Sequence, residues 1–142
     1  MKQPEWVDRY VREVLKIEGK TKYPKIVFRK GRGGGCTHYK WKYIHGKRKI
    51  VFAYISINSA GNEKIDKMVL FHELAHAMGK VKAGHNLKFW ERAWNYYEVF
   101  RSELDWEAVK KSEFWYMKKA KTVYEKIYPE QPQVFGQLAL DI

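Results

Sequence analysis

The sequence predicts an α+β domain built around one buried helix. Glu63 to Met78 is apolar almost all round (Ile65, Met68, Val69, Leu70, Phe71, Leu74, Ala75, Met78), as in a helix that runs through the centre of a domain. Just upstream, Tyr39, Trp41 and Tyr43 alternate with His38, Lys40 and Lys42, the period of a strand. Segments of helical period flank both. At 142 residues there is material for one core, so residues 1–130 are expected to form a single domain and 131–142 a tail.

The elements follow in order. Trp6, Tyr10, Val14 and Ile17 recur at helical spacing, Pro4 suits a first turn, and Gly19 ends a helix from Pro4 to Glu18. The β-branched run Lys25-Ile26-Val27-Phe28 reads as a strand, and Gly31 to Gly35 as a flexible loop. A hairpin from Thr37 to Ile57 turns at His45-Gly46-Lys47. Its return, Ile50 to Ile57, is nearly all apolar and so expected to be covered on both faces. Ser59 to Asn62 breaks the strand, and Gly79 stops the buried helix. Two more helices are expected, at about Asn86 to Phe100 and Ser102 to Tyr128, before Pro129 and Pro132 release the tail.

Composition narrows the function classes. Aromatics make up 16% and no window is apolar for the length of a membrane helix, so a globular protein without membrane contact is expected. The single cysteine, Cys36, excludes an internal disulfide and a Cys-based zinc ribbon. With no apolar leader at Met1 to Trp6, a cytoplasmic location is expected. Net charge is +12, and from Gly19 to Asn62 eleven Lys and Arg residues stand without one Asp or Glu. A field of one sign attracts polyanions, which makes DNA a candidate partner and Lys40, Lys42, Arg48 and Lys49 its candidate contacts.

The buried helix contains His72-Glu73-Leu74-Ala75-His76. Residues at i and i+4 share a helical face, so the two imidazoles can converge on one zinc ion. Glu73 is then placed to take a proton from a zinc-activated water. Three polar side chains in an apolar helix are costly to bury without partners, and a metal supplies them. Catalytic zinc takes three protein ligands and keeps one open position. His85, after Gly84, is the first candidate for the third ligand, with Glu103 and Glu107 as alternatives.

His72-Glu73-Leu74-Ala75-His76, then Gly84-His85, then Phe89-Trp90 resembles the SprT-like zinc metallopeptidases, which include the Spartan-type proteases of DNA–protein crosslinks. The likeness covers roughly residues 1 to 100, and its sharp motifs lie in 72–90. It implies a minimal zincin fold, in which a small sheet or hairpin and C-terminal helices pack on the HExxH helix. It further implies His72, His76 and His85 as ligands, Glu73 as base, and zinc-dependent endopeptidase activity on protein, including protein bound to nucleic acid. Lys82 stands where a metzincin has its third histidine, which argues against that clan.

Around this motif, the hairpin should offer a sheet edge to an extended substrate, and Tyr96, Tyr97, Arg92 or His38 could stabilise an oxyanion. The hairpin rings could stack the bases of single-stranded nucleic acid, although burial against the first helix is the favoured expectation. The tail Gln137-Leu138-Ala139-Leu140-Asp141-Ile142 resembles peptides that dock on bacterial sliding clamps. Two other functions stay open: a nucleic-acid-binding module with structural zinc, and a minimal gluzincin-type peptidase with glutamate as third ligand.

Overall fold

The structure, a computed structural model, describes residues 1–81 and 83–129. The clamp-like tail therefore lies outside the described residues. The architecture is α+β. The described residues form α1 (Trp6–Glu18), β1 (Ile26–Lys30), β2 (Gly35–Ile44), β3 (Lys47–Ser59), α2 (Glu63–Ala77), α3 (Leu87–Val99), α4 (Trp106–Tyr116) and α5 (Lys118–Ile127), with a short 3-10 turn at Arg101–Glu103. No described helix is long and apolar enough to cross a membrane.

The sheet has the order β1-β3-β2. β1 runs parallel to β3 and β2 antiparallel to it, so β2 is an edge strand. One face of β3, with Ile55 and Ile57 fully buried, meets α1 through Val7, Tyr10, Val11 and Val14 and α2 through Leu70, Phe71 and Leu74. Trp90, Trp94, Tyr96 and Tyr97 of α3 close the core from the far side of α2. As its sequence pattern implies, α2 lies inside, between the sheet and α3.

The ends of α2 are fixed locally. The Asn62 side chain accepts from the Ile65 amide, and the Ser59 hydroxyl donates to buried Asp66 at 2.5 Å. At the other end the helix stops at Ala77, with Met78 as its cap. Gly79 serves a different purpose from the left-handed stop expected of it. A Cβ there would lie 3.0 Å from Arg92 Nη1 and 3.3 Å from the Ala75 carbonyl oxygen, so glycine leaves room for the Arg92 guanidinium. Arg92 and Tyr96 both donate to Glu18 (3.0 and 2.6 Å), tying α3 to the end of α1.

Two expectations are corrected. The segment from 102 to 128 is not one helix. It breaks at Met117, whose backbone is extended (φ −147°, ψ 131°). The break folds α5 back on α3, where Ala120 is fully buried and its carbonyl accepts from Trp94 Nε1 at 3.1 Å. Second, the hairpin rings are not buried against α1: Trp41 is 54% exposed and Tyr43 74%. Length explains this. Thirteen residues of β3 at about 3.3 Å each extend roughly 43 Å, whereas fifteen residues of α2 at about 1.5 Å extend roughly 22 Å. The outer half of the hairpin outruns the helical layer. It ends in a two-residue turn in which His45 (φ 50°) and Gly46 (φ 75°) are both left-handed, as the twist of paired strands favours.

Candidate metal centre

One turn of α2 separates His72 from His76, and their ring centroids lie 5.3 Å apart, facing the loop that follows. That loop turns at Gly84, which is left-handed at φ +64° with open space around it, so glycine here serves the turn rather than close packing. The turn delivers His85 between the other two. His85 Nε2 lies 3.2 Å from His72 Nε2 and 3.0 Å from His76 Nε2.

The first turn of α3 holds these rings in place. Asn86 caps it by accepting from the Phe89 amide at 2.9 Å. Phe89 then stacks on His76 (centroids 4.1 Å apart) and Trp90 lies parallel to His85 (5.8 Å). The Phe89-Trp90 pair of the sequence motif therefore works as packing behind the histidines.

Three imidazole nitrogens this close could hold a metal ion between them. Four ligands about 2.05 Å from one centre are about 3.3 Å apart in a tetrahedron, and the observed spacings approach that value. The protonation of two of the three histidines fits as well. Burial, then the charges of His72 and His85, holds the His76 pKa down to about 3, so its lone pair is free near neutral pH. Burial also lowers His85. Burial disfavours a charge on His72, but its hydrogen bond to Glu113 and the charges of Glu113 and Glu73 outweigh this and raise its pKa. Among the described residues His72, His76 and His85 are the only group of three or more His, Cys, Asp or Glu whose ligand atoms lie within 4.8 Å of one another. The donor set suits zinc and leaves a fourth position open.

The chain matches no family model, no curated protein and no solved structure.

Glu113 of α4 was not foreseen. Its carboxylate is buried and accepts from His72 Nδ1 at 2.8 Å and from the Tyr97 hydroxyl at 2.6 Å. The bond from Nδ1 fixes the tautomer that turns the His72 Nε2 lone pair toward the cluster, the usual task of a carboxylate behind a metal-bound histidine. A signal existed: Trp106, Val109, Glu113 and Met117 recur at helical spacing, which puts one carboxylate on the apolar stripe.

Glu73 points to the sheet side of the cluster. The Thr37 hydroxyl lies 2.8 Å from Glu73 Oε1 and 3.1 Å from the Glu73 carbonyl. Burial raises the Glu73 pKa, against the opposing pull of His72 and Thr37. Gly35 lets the edge strand reach this point: a Cβ there would be 2.7 Å from Val69 Cγ1 and 3.2 Å from Glu73 Cγ. Between β2 and the histidines lies an open cleft of about 510 Å3, lined by Gly35, Cys36, Thr37, Tyr39, Gly84 and Tyr116 beside the cluster itself.

The other foreseen residues are engaged elsewhere. Glu103 receives two bonds from Arg9 (2.7 and 2.8 Å) and one from the Tyr10 hydroxyl, which pins the 3-10 turn to α1. Glu107 pairs with Lys110 on the surface. Neither joins the histidines. Of the four oxyanion candidates, Tyr96 and Arg92 serve Glu18, Tyr97 serves Glu113, and His38 bonds Ser56 at 2.8 Å. Tyr116, which sequence reasoning missed, does reach the cleft, and its hydroxyl lies 3.4 Å from His85 Nε2. Lys40, Lys42, Arg48 and Lys49 are exposed on the outer half of the hairpin and do not line the cleft.

Proposed function

We propose that this protein is a zinc-dependent metalloendopeptidase of the SprT-like kind. The observation that carries the proposal is the convergence of three histidine Nε2 atoms, with Glu73 alongside, on a cleft bordered by a sheet edge. A structural zinc site would be closed by four protein ligands, and among the described residues no fourth stands by these three. Zinc bound there would supply Lewis-acid activation of water and of the scissile carbonyl. Glu73 takes the proton from the attacking water and returns it to the leaving amine, with Thr37 holding one carboxylate oxygen in place. The outer edge of β2 offers backbone groups to an extended peptide. Tyr116 is the donor best placed for the developing oxyanion.

The direct test is metal content with cleavage. The full chain is expected to bind about one equivalent of zinc and, so loaded, to cut denatured casein. His85→Ala should weaken zinc binding by at least ~100-fold by competition with a chelator dye, since one of three ligands is gone. Parent-like affinity in that variant would exclude His85 as a ligand.

The hairpin supports nucleic acid as a second partner of the same protein. Its exposed face carries Trp41 and Tyr43, with the Arg48 guanidinium 4.2 Å from the Trp41 ring centroid. On the opposite face of the ribbon Lys42 and Lys49 stand directly opposite in register, a like-charge pair that destabilises it unless an anion neutralises it. Trp41 lies six residues along β2 from Gly35, about 20 Å at 3.3 Å per residue. Nucleic acid held there would tether a bound protein near the cleft without filling it. Anisotropy with a single-stranded oligonucleotide should show affinity falling steeply with salt. Neutralising Lys42 and Lys49 should lower the log–log slope by about 1.4, and Trp41→Ala should weaken binding ~5–100-fold. Parent-like binding by both variants would remove the hairpin from consideration.

A further inference from the structure

A second cavity, of about 230 Å3, opens beside Glu73 and shares Gly35, His72, Glu73 and Tyr116 with the cleft. Gly34 and Gly35 border it on the strand side, Met68 and Val69 come from α2, and Ser112 and Trp115 from α4. Nothing in the chemistry described above uses it. We propose that this cavity is the specificity pocket of the peptidase, and that it takes a large apolar side chain from the residue immediately following the scissile bond. The assignment rests on the peptidase reading of the cleft.

Size and lining define the occupant. An apolar cavity of about 150 Å3 is known to hold benzene, so about 230 Å3 accommodates the side chain of Phe, Leu, Met or Tyr. The lining holds no Lys or Arg, while the carboxylates of Glu73 and Glu113 border it. An acidic side chain would meet the like charge of these two carboxylates there. Gly35 brings the edge strand close against the cavity wall, because a Cβ at that position would lie 2.7 Å from Val69 Cγ1.

Strand direction sets which residue enters. The peptide that extends the sheet adds to β2, and antiparallel pairing is the commoner mode. A chain antiparallel to β2 travels from the Tyr39 end of the cleft toward Gly35 and Gly34. Its carboxyl-side portion therefore reaches the cavity, after the scissile bond has crossed the histidines.

The test is a cleavage map by mass spectrometry, with the zinc-loaded full chain and denatured casein, followed by a matched peptide pair with Phe or Ala after the cut. Phe, Leu, Met and Tyr are expected directly after the cut at least ~10-fold above Asp and Glu. Ser112 is exposed on α4, so Ser112→Trp fills the cavity without disturbing the core. It should lower the Phe-to-Ala ratio of kcat/KM ~10–100-fold, the scale on which pocket volume discriminates. The ratio is insensitive to any loss of folded protein. A flat map, a preference confined to the residue before the cut, or an unchanged ratio in Ser112→Trp overturns the pocket assignment and leaves the peptidase intact. No cleavage of any substrate by the zinc-loaded parent overturns both.

Discussion

Glu73→Gln is expected to bind zinc as the parent does and to cut casein at least ~100-fold, and up to ~10,000-fold, more slowly. Positioned proton transfer contributes on that scale. The substitution is nearly isosteric and keeps an oxygen that can accept from Thr37, 2.8 Å away, so the edge strand stays seated. The amide cannot take a proton from water at neutral pH. Burial of Glu73 also predicts the stability outcome. A buried carboxylate is disfavoured by desolvation, so the neutral amide should leave the zinc-free protein at least as stable by thermal melting. A parent-like rate in Glu73→Gln would show that another group moves the proton. Loss of zinc together with loss of rate would make Glu73 a ligand instead.

Much of this arrangement was legible in the sequence because it is local. A helix brings His72 and His76 together at four-residue spacing whatever surrounds it, and the buried position of that helix shows in its apolar residues. His85 could be proposed because a short loop joins it to the same helix. What escaped was long-range. Glu113 meets His72 across forty-one residues and Thr37 meets Glu73 across thirty-six, and no periodicity links such pairs. The break at Met117 is likewise set by tertiary contacts, since α5 turns back to pack on Trp94. Expecting one unbroken helix hid Tyr116, the last residue of α4, whose position in the cleft depends on the helix ending there. The exposed hairpin rings teach a different lesson. Alternation showed that Trp41 and Tyr43 share a face, but whether a face is covered depends on the relative lengths of strand and helix.

The cluster also explains why so small a domain can hold two buried carboxylates within it. Glu73 and Glu113 flank His72 from its sheet side and from α4. A divalent cation bound by the three imidazoles would have its charge balanced by these two carboxylates. Zinc loading should therefore stabilise the fold, by an amount that grows with the logarithm of free metal over its dissociation constant.

Glu113 is where that coupling is open to measurement. Glu113→Ala leaves two buried donors, His72 Nδ1 and the Tyr97 hydroxyl, without the carboxylate that now serves both. An unmet buried donor costs about 1–3 kcal/mol, so two cost about 2–6 kcal/mol and the zinc-free variant should melt roughly 4–24 °C lower, on the scale of 2–4 °C per kcal/mol for a domain approaching this length. Zinc affinity should fall ~10–100-fold, as when the partner of a metal-bound histidine is removed. Glu113→Gln separates the two effects. Both bonds end on one carboxylate oxygen, and an amide oxygen in its place can accept them, so most of the stability should return. The carboxylate charge does not, and the His72 imidazole of the zinc-free protein should titrate at lower pH by NMR, because Glu113 is the chief influence raising its pKa. Zinc affinity in Glu113→Gln should stay below the parent's even where the melting temperature is restored. If both variants bind zinc within about twofold of the parent, a change too small for the loss of such a partner, Glu113 is a packing residue and His72 needs no carboxylate to face the metal.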